Sequence, residues 1–283
     1  MKKVGLVLEG GGLRGIFTAG VIDFFLDKGI EFDYVVGASA GACNTLGYLA
    51  KKRGFVKQGM TNVNGKDAFF GVAQMVDSHK YVNLDRVFLD YAEKYELDYD
   101  TFLKSKTKWD MVVSNIETGK PEYKHENKDV KRVQTIGIAS CSLPLLTFPV
   151  ELDGKLYLDG GITDSIPIER AEEMGCEYNV VIATRRKGHY CHLSKAEKPA
   201  YNSLYGKKYP KFLEAIYDRE ERYKKQVSYI EEQAKNKKVV LIRPTLPEAG
   251  RLEKDTSKLE LSYYHGYAKA QDAYNDILEL MKK

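Results

Sequence analysis

The sequence lacks any apolar run long enough to cross a bilayer, which takes about 20 residues in succession. It lacks a signal-peptide pattern as well. Lys2 and Lys3 open the chain, but Gly5, Glu9 and Arg14 interrupt the apolar stretch after them, and it ends in no small-residue cleavage site. A mature strand is therefore expected from Val4, in a cytoplasmic protein, with transient contact at a membrane surface left open. Cysteine is scarce. Cys43, Cys141, Cys176 and Cys191 fit no zinc or redox spacing, so reduced thiols are expected. The run His189-Tyr190-Cys191-His192 holds metal-ligating residue types, but no second ligand pair with zinc-like spacing accompanies it. Neither a metal nor a cofactor is expected. A charge of one sign is also missing: 44 Lys and Arg face 40 Asp and Glu, and the net +4 is spread along the chain. That balance gives no reason to expect a nucleic-acid partner. There is no internal repeat and no low-complexity segment.

What is present reads as a soluble α/β chain. Apolar residues make up 43% of the 283 and charged residues 30%, enough for one large domain or a domain with an extension. Val4–Glu9 and Phe32–Val36 read as buried strands. Gly12–Lys28 reads as a helix with Ile16, Val21, Phe24 and Phe25 toward the core and Gly29 as its stop. Ala40–Ala50 reads as a helix of small residues. Strand, helix, strand, helix is a βαβα unit whose crossover favours parallel strands. Lys51–Lys80 is less regular and reads as a loop with short helices near the mouth of a site. Leu84–Tyr95 is a helical candidate, Trp109–Ile116 a strand with Glu122–Lys124 pairing back, and Asp129–Ser140 a helix. Val150–Leu152 and Lys155–Leu158 flank the hairpin signal Asp153-Gly154. Pro167–Met174 is a short helix, and Asn179–Thr184 and Val239–Ile242 are later strands.

After Arg185 lysine and tyrosine become dense, with Tyr201, Tyr205, Tyr209, Tyr217, Tyr223 and Tyr229 close together. Helical spacing runs from Phe212 to Ala234, and Lys258–Met281 reads as one long helix with Tyr263, Tyr267 and Tyr274 on one side. Residues 186–283 are thus expected to form a helix-rich extension packed on a catalytic α/β domain of residues 1–185. The tyrosines of 187–238 either pack the extension onto the sheet or rest on a lipid surface.

Two glycine-rich turns carry the chemistry. Gly37-Ala38-Ser39-Ala40-Gly41 joins a strand to a small-residue helix. So tight a turn strains its central residue and projects the serine oxygen at the helix N-terminus. The alternative is a strand-helix turn with a capping serine. Gly10-Gly11-Gly12-Leu13-Arg14-Gly15 satisfies the dinucleotide fingerprint, but that motif wants an acid at the end of the second strand. Here the strand ends in Val35-Val36-Gly37. In either reading free N–H groups at a helix N-terminus bind negative charge. A serine nucleophile also needs a base. Asp159, between a strand and Gly160-Gly161, is a carboxylate at a strand end. His79, His125, His189, His192 and His265 are the histidines, and none stands in a turn that marks it as positioned. His265 falls on the helix side away from the tyrosines and reads as solvated.

These three blocks, in this order and with Ala139-Ser140, Pro144 and Pro149 before the last, resemble the patatin-like phospholipase family. The resemblance covers about residues 4 to 185. It implies a three-layer α/β/α sandwich with a mostly parallel central sheet and hydrolysis of acyl esters in phospholipids and other lipids. It implies a dyad with Ser39 as nucleophile and Asp159 as base, without histidine. Gly11, Gly12 and Leu13, in the turn opened by Gly10, supply oxyanion N–H groups with Arg14 in support, and Gly37 and Gly41 shape the nucleophile turn. Two other readings stand beside this: a Ser-Asp-His triad esterase, and a non-catalytic binder of lipid or nucleotide on the same fold. An aspartate of ordinary pKa near 3.9 is too weak a base for serine, so the dyad requires Asp159 to be buried.

Overall fold

The computed structural model describes residues 2–65 and 68–282. Strands β1 (Lys3–Leu8), β2 (Tyr34–Ala38), β3 (Lys108–Asn115), β4 (Pro121–Lys124), β5 (Val150–Leu152), β6 (Lys155–Asp159), β7 (Cys176–Ile182) and β8 (Val239–Ile242) form one sheet. Its order is β5-β6-β3-β2-β1-β7-β8, with β4 also paired to β3. From β3 to β8 the neighbours are parallel. The hairpin β5-β6 and strand β4 add antiparallel pairs beside β3. The βαβα opening is parallel, as its crossover requires, and β1 lies inside the sheet between β2 and β7.

The pleat sends alternate residues to two faces. Leu6, Leu8, Val35, Met111 and Val113 face one core with helices α1 (Gly15–Asp27) and α2 (Ala40–Leu49). Between α2 and β3 come α3 (Phe55–Thr61), α4 (Val72–Ser78), α5 (Tyr91–Lys94) and α6 (Tyr99–Leu103). The first core also takes side chains from α7 (Val130–Cys141). Val7, Val36, Val112 and Val181 face a second core with α8 (Ile168–Glu173). Past α9 (Lys198–Tyr201), the long α10 (Pro210–Lys235) adds Tyr223 and Ile230 to that second core. The result is a three-layer α/β/α sandwich.

Residues beyond 185 are woven into these layers. Strand β8 extends the sheet beside β7. Helix α11 (Thr256–Asp272) lies on α1 with backbone against backbone: a Cβ on Gly20 would sit 2.0 Å from the Tyr263 carbonyl oxygen, and one on Gly266 2.0 Å from that of Phe17. Tyr263 and Tyr267 donate to Asp23 and Asp27 of α1 at 2.7 and 2.9 Å. Among the dense tyrosines, Tyr201, Tyr205 and Tyr223 are buried.

The structure departs from the sequence expectations in places. The long C-terminal helix breaks at Ala273, and α12 (Tyr274–Met281) comes after the break. The break turns Tyr274 edge-on to Phe24, with ring centroids 5.5 Å apart. His265 is half-buried and has partners in the fold. Its ring lies 5.6 Å from Phe17, and its Nε2 accepts from the Thr245 N–H at 3.0 Å. The Leu84–Tyr95 candidate is helical but widens into a π-helical turn over Arg86–Asp90. Within Lys51–Lys80 the short helices are α3 and α4, and residues 66 and 67 lie outside the described residues.

Candidate active site

Strand β2 ends in the turn that carries Ser39. Its backbone stands at φ 55°, ψ −121°, a strained combination for a residue with a side chain. The two flanking glycines make the turn sterically feasible. A Cβ on Gly37 would lie 2.4 Å from the Gly41 oxygen, and one on Gly41 2.3 Å from the Leu8 oxygen. No side chain fits either place. Ser39 is buried, and its N–H donates to Ser140 Oγ at 3.0 Å.

Ser39 Oγ donates to Asp159 Oδ2 at 2.6 Å. Asp159 ends β6, which the antiparallel register sets beside β3, next to β2. Its backbone is held too: its N–H donates to Ser142 O at 2.7 Å, and Ser114 Oγ donates to its carbonyl at 2.7 Å. The second carboxylate oxygen accepts from the Gly161 N–H at 2.8 Å. Burial pushes the Asp159 carboxyl above the usual carboxylate range, against the Ser39 hydroxyl, the Arg219 charge, the Gly161 N–H and the Arg251 charge. Ser140 stood among the residues of the family resemblance without a role, and sequence reasoning had no signal for Ser114 or Ser142, because serine carries no pattern until the sheet order brings it to the site.

The glycine turn after β1 is fixed from several sides. The buried Glu9 accepts from Thr184 N–H at 2.6 Å, Arg185 at 2.8 Å and the Tyr223 hydroxyl at 2.9 Å. Gly10 N–H donates to Ser165 O at 3.3 Å, and Leu13 N–H to Arg251 O at 3.1 Å. Two of the expected anion donors are therefore engaged by protein carbonyls in this state. Among the described residues, the N–H groups of Gly11 and Gly12 meet no acceptor. Neither does that of Ala40, the first residue of α2. Gly12 has φ +59°, and a Cβ there would lie 2.6 Å from the Arg251 oxygen.

Two cavities meet at this point. An apolar one of about 90 Å³ starts at Gly12 and Ser39 and runs between Phe55, Met60, Phe69 and Leu84. A polar one of about 320 Å³ is lined by Arg14, Arg185, Arg219, Arg251 and Tyr201. Arg251 lines both. The thiols of Cys43 and Cys141, distant in sequence, face each other at 3.7 Å on the apolar wall.

The histidines make other contacts, although His189 and His192 line the polar cavity. His125 sits 3.1 Å from Asp110, His189 3.0 Å from Glu248 and His192 2.9 Å from Glu220. Among the described residues no histidine hydrogen-bonds to Ser39 or Asp159. Nor does any group of at least three His, Cys, Asp or Glu form a metal-binding cluster among them.

A model of the patatin-like phospholipases matches residues 6–172. The chain belongs to the patatin-like phospholipase family. A second model, a domain of unknown function (DUF6363), matches residues 209–282. This patatin-like chain is 34% identical over 191 residues to the uncharacterized protein YjjU of Escherichia coli (strain K12), covering 64% of the chain and 52% of that protein. It is 27% identical over 187 residues to lysophospholipase NTE1 of Saccharomyces cerevisiae, covering 62% of the chain and 10% of that protein. The chain thus spans about half the length of the first relative and about a tenth of the second. Among solved structures it is similar to VipD from Legionella pneumophila, with TM-score 0.47, 14% identity and coverage of 97% of this chain and 67% of that one. Among the described residues no helix is long and apolar enough to cross a membrane.

Proposed function

We propose that the protein hydrolyses acyl esters of lipids or phospholipids with Ser39 as nucleophile and Asp159 as its base. The observation that carries this reading is the 2.6 Å bond from the strained, buried Ser39 to the buried Asp159. Hydrogen-bond reach between a nucleophile and a carboxylate of raised pKa is what general-base activation needs. Ser39 Oγ attacks the ester carbonyl carbon while its proton passes to Asp159. The tetrahedral oxyanion points at the N–H groups of Gly11 and Gly12, with Ala40 beside them. Loss of one such donor typically costs about 100- to 1000-fold in rate. Collapse breaks the ester C–O bond, the leaving alkoxide takes the proton from Asp159, and an acyl-Ser39 ester remains. Water then attacks that ester with Asp159 as base, the fatty acid leaves, and Ser39 regains its proton.

The apolar cavity beside Ser39 suits an acyl chain. The segment between its lining residues Phe69 and Val82 carries α4, where Val72, Met75 and Val76 are exposed. Such side chains fit transient contact with a lipid surface.

The test uses a fluorophosphonate probe and a lipid-ester assay. Wild type is expected to label, and Ser39→Ala is not. Ser39→Ala and Asp159→Asn should each lower turnover by at least 1000-fold, an order set by serine-hydrolase knockouts, with little change in melting temperature. Equal, weak labelling of wild type and Ser39→Ala sinks the hydrolase reading in favour of a non-catalytic binder. Substituting each histidine in turn separates the dyad from a triad: an inactive single-histidine variant that still folds overturns the dyad.

A further inference from the structure

Arg14, Arg185, Arg219 and Arg251 line the polar cavity together with Glu197, Glu220 and Glu248. Arg185 is paired with Glu9 at 2.8 Å. Among the described residues, no carboxylate lies within ion-pair distance of Arg14, Arg219 or Arg251. Arg219 reaches only Ser165 Oγ, at 3.5 Å. Arg14 is half-buried, and its Nε is fully enclosed without a hydrogen-bond partner. Burial, with the charges of Arg185, Arg251 and Arg219, pushes the Arg14 guanidinium down to about 10, against the raising effect of Glu9. The acids on the wall are engaged by groups other than Arg14, Arg219 and Arg251. Glu248 binds Arg186 and His189, Glu220 binds Lys224 and His192, and Glu197 accepts from the Ser194 N–H.

Crowding like charges in a partly buried site with no carboxylate in direct contact costs stability. Packing alone gives no reason to keep three arginines there. Guanidinium forks, however, match the oxygens of a phosphate group in geometry and charge. Arg251 stands on the wall that the two cavities share, and a Cβ on Gly161, whose N–H holds Asp159, would lie 3.3 Å from Arg219 Nη2.

We propose that Arg14, Arg219 and Arg251 form a subsite for the phosphate on the alcohol side of the substrate, so that the preferred ester is an acyl lipid with a net-anionic phosphate headgroup. The acyl chain occupies the apolar cavity and the ester carbonyl lies at Ser39. Arg219 and Arg251 fall outside the residues matched by the patatin-like model and inside those matched by the domain of unknown function. That C-terminal domain thus supplies headgroup recognition. The turnover arm of the test rests on the acyl-ester reading, while the binding arm does not.

In the binding arm, the full-length Ser39→Ala chain is titrated calorimetrically with sn-glycerol 3-phosphate, glycerol and inorganic phosphate. Saturable binding of glycerol phosphate, none of glycerol, and at least tenfold weaker binding after adding Arg219→Gln or Arg251→Gln are expected. No saturable binding, or binding that neither substitution weakens, overturns the subsite. Inorganic phosphate binding as tightly as glycerol phosphate overturns the headgroup assignment in favour of a free-anion site. In the turnover arm, kcat/KM for a 1-acylglycerol 3-phosphate is compared with that for the 1-acylglycerol of the same chain. The phosphate ester should lead by at least tenfold, through KM, and the lead should collapse in Arg219→Gln and be partly kept in Arg219→Lys. Equal values in wild type overturn the proposal. If neither ester turns over, the acyl-ester reading falls and the binding arm alone decides the subsite.

Discussion

At the scale of single residues, Ser39 concentrates the cost of the site. A side chain held at φ 55°, ψ −121° costs on the order of 1–3 kcal/mol. Ser39→Gly releases that strain, less the extra entropy glycine loses on folding. It is expected to raise the melting temperature by roughly 2 °C while abolishing probe labelling, whereas Ser39→Ala keeps the strain and melts with wild type. A drop for Ser39→Gly in a thermal melt contradicts the account. Asp159 sets the acid side of the pH profile. Its base form is the ionised one, and burial raises its pKa, so kcat/KM should fall as pH drops through a value above the ordinary 3.8. Arg219 lowers that pKa, so Arg219→Gln moves the acid limb to higher pH, read on a neutral ester. A limb that stays put or moves down shows that Arg219 does not act on Asp159.

At the scale of elements, the contact between α1 and α11 leaves no room for a methyl group. With a Cβ placed 2.0 Å from a carbonyl oxygen on either side, Gly20→Ala or Gly266→Ala must push the helices apart. Overpacking of this kind costs about 1–3 kcal/mol, and backbone contact with no flexible side chain to yield puts these variants at the upper end. Chemical denaturation reads the loss, and an unchanged midpoint contradicts the close approach. The tyrosine stripe of α11 was legible in the sequence, but its partners Asp23 and Asp27 were not. The break at Ala273 was hidden as well, because Thr256–Asp272 and Tyr274–Met281 share a helical periodicity and only their packing on α1 separates them.

At the scale of the whole molecule, residues beyond 208 are structural parts of the sandwich. Strand β8 covers the β7 edge, α11 covers α1, and Tyr223 of α10 reaches the buried Glu9 under the glycine turn. A chain shortened after residue 208 would bare a sheet edge and the apolar face of α1. It is expected to lose cooperative thermal unfolding and probe labelling together. A truncated chain that melts in one transition and still labels would make the C-terminal part a separable module.

The sequence by itself determined the parallel strand-helix opening, the two glycine turns and the short hairpin before Asp159. These arise from apolar periodicity and from local sterics, which act over a few residues. Family likeness paired Ser39 with Asp159 on the order of the motifs alone. What only the tertiary structure decided depends on the sheet order and on which helices cover it. The antiparallel β6 beside β3 brings Asp159 within 2.6 Å of a serine 120 residues earlier. The loop after β8 takes the Leu13 N–H with the Arg251 carbonyl, while those of Gly11 and Gly12 meet no acceptor among the described residues. The same packing gathers arginines from distant segments into one cavity, because long-range contacts arise from the way whole surfaces fit together and leave no periodic trace in the residues that make them.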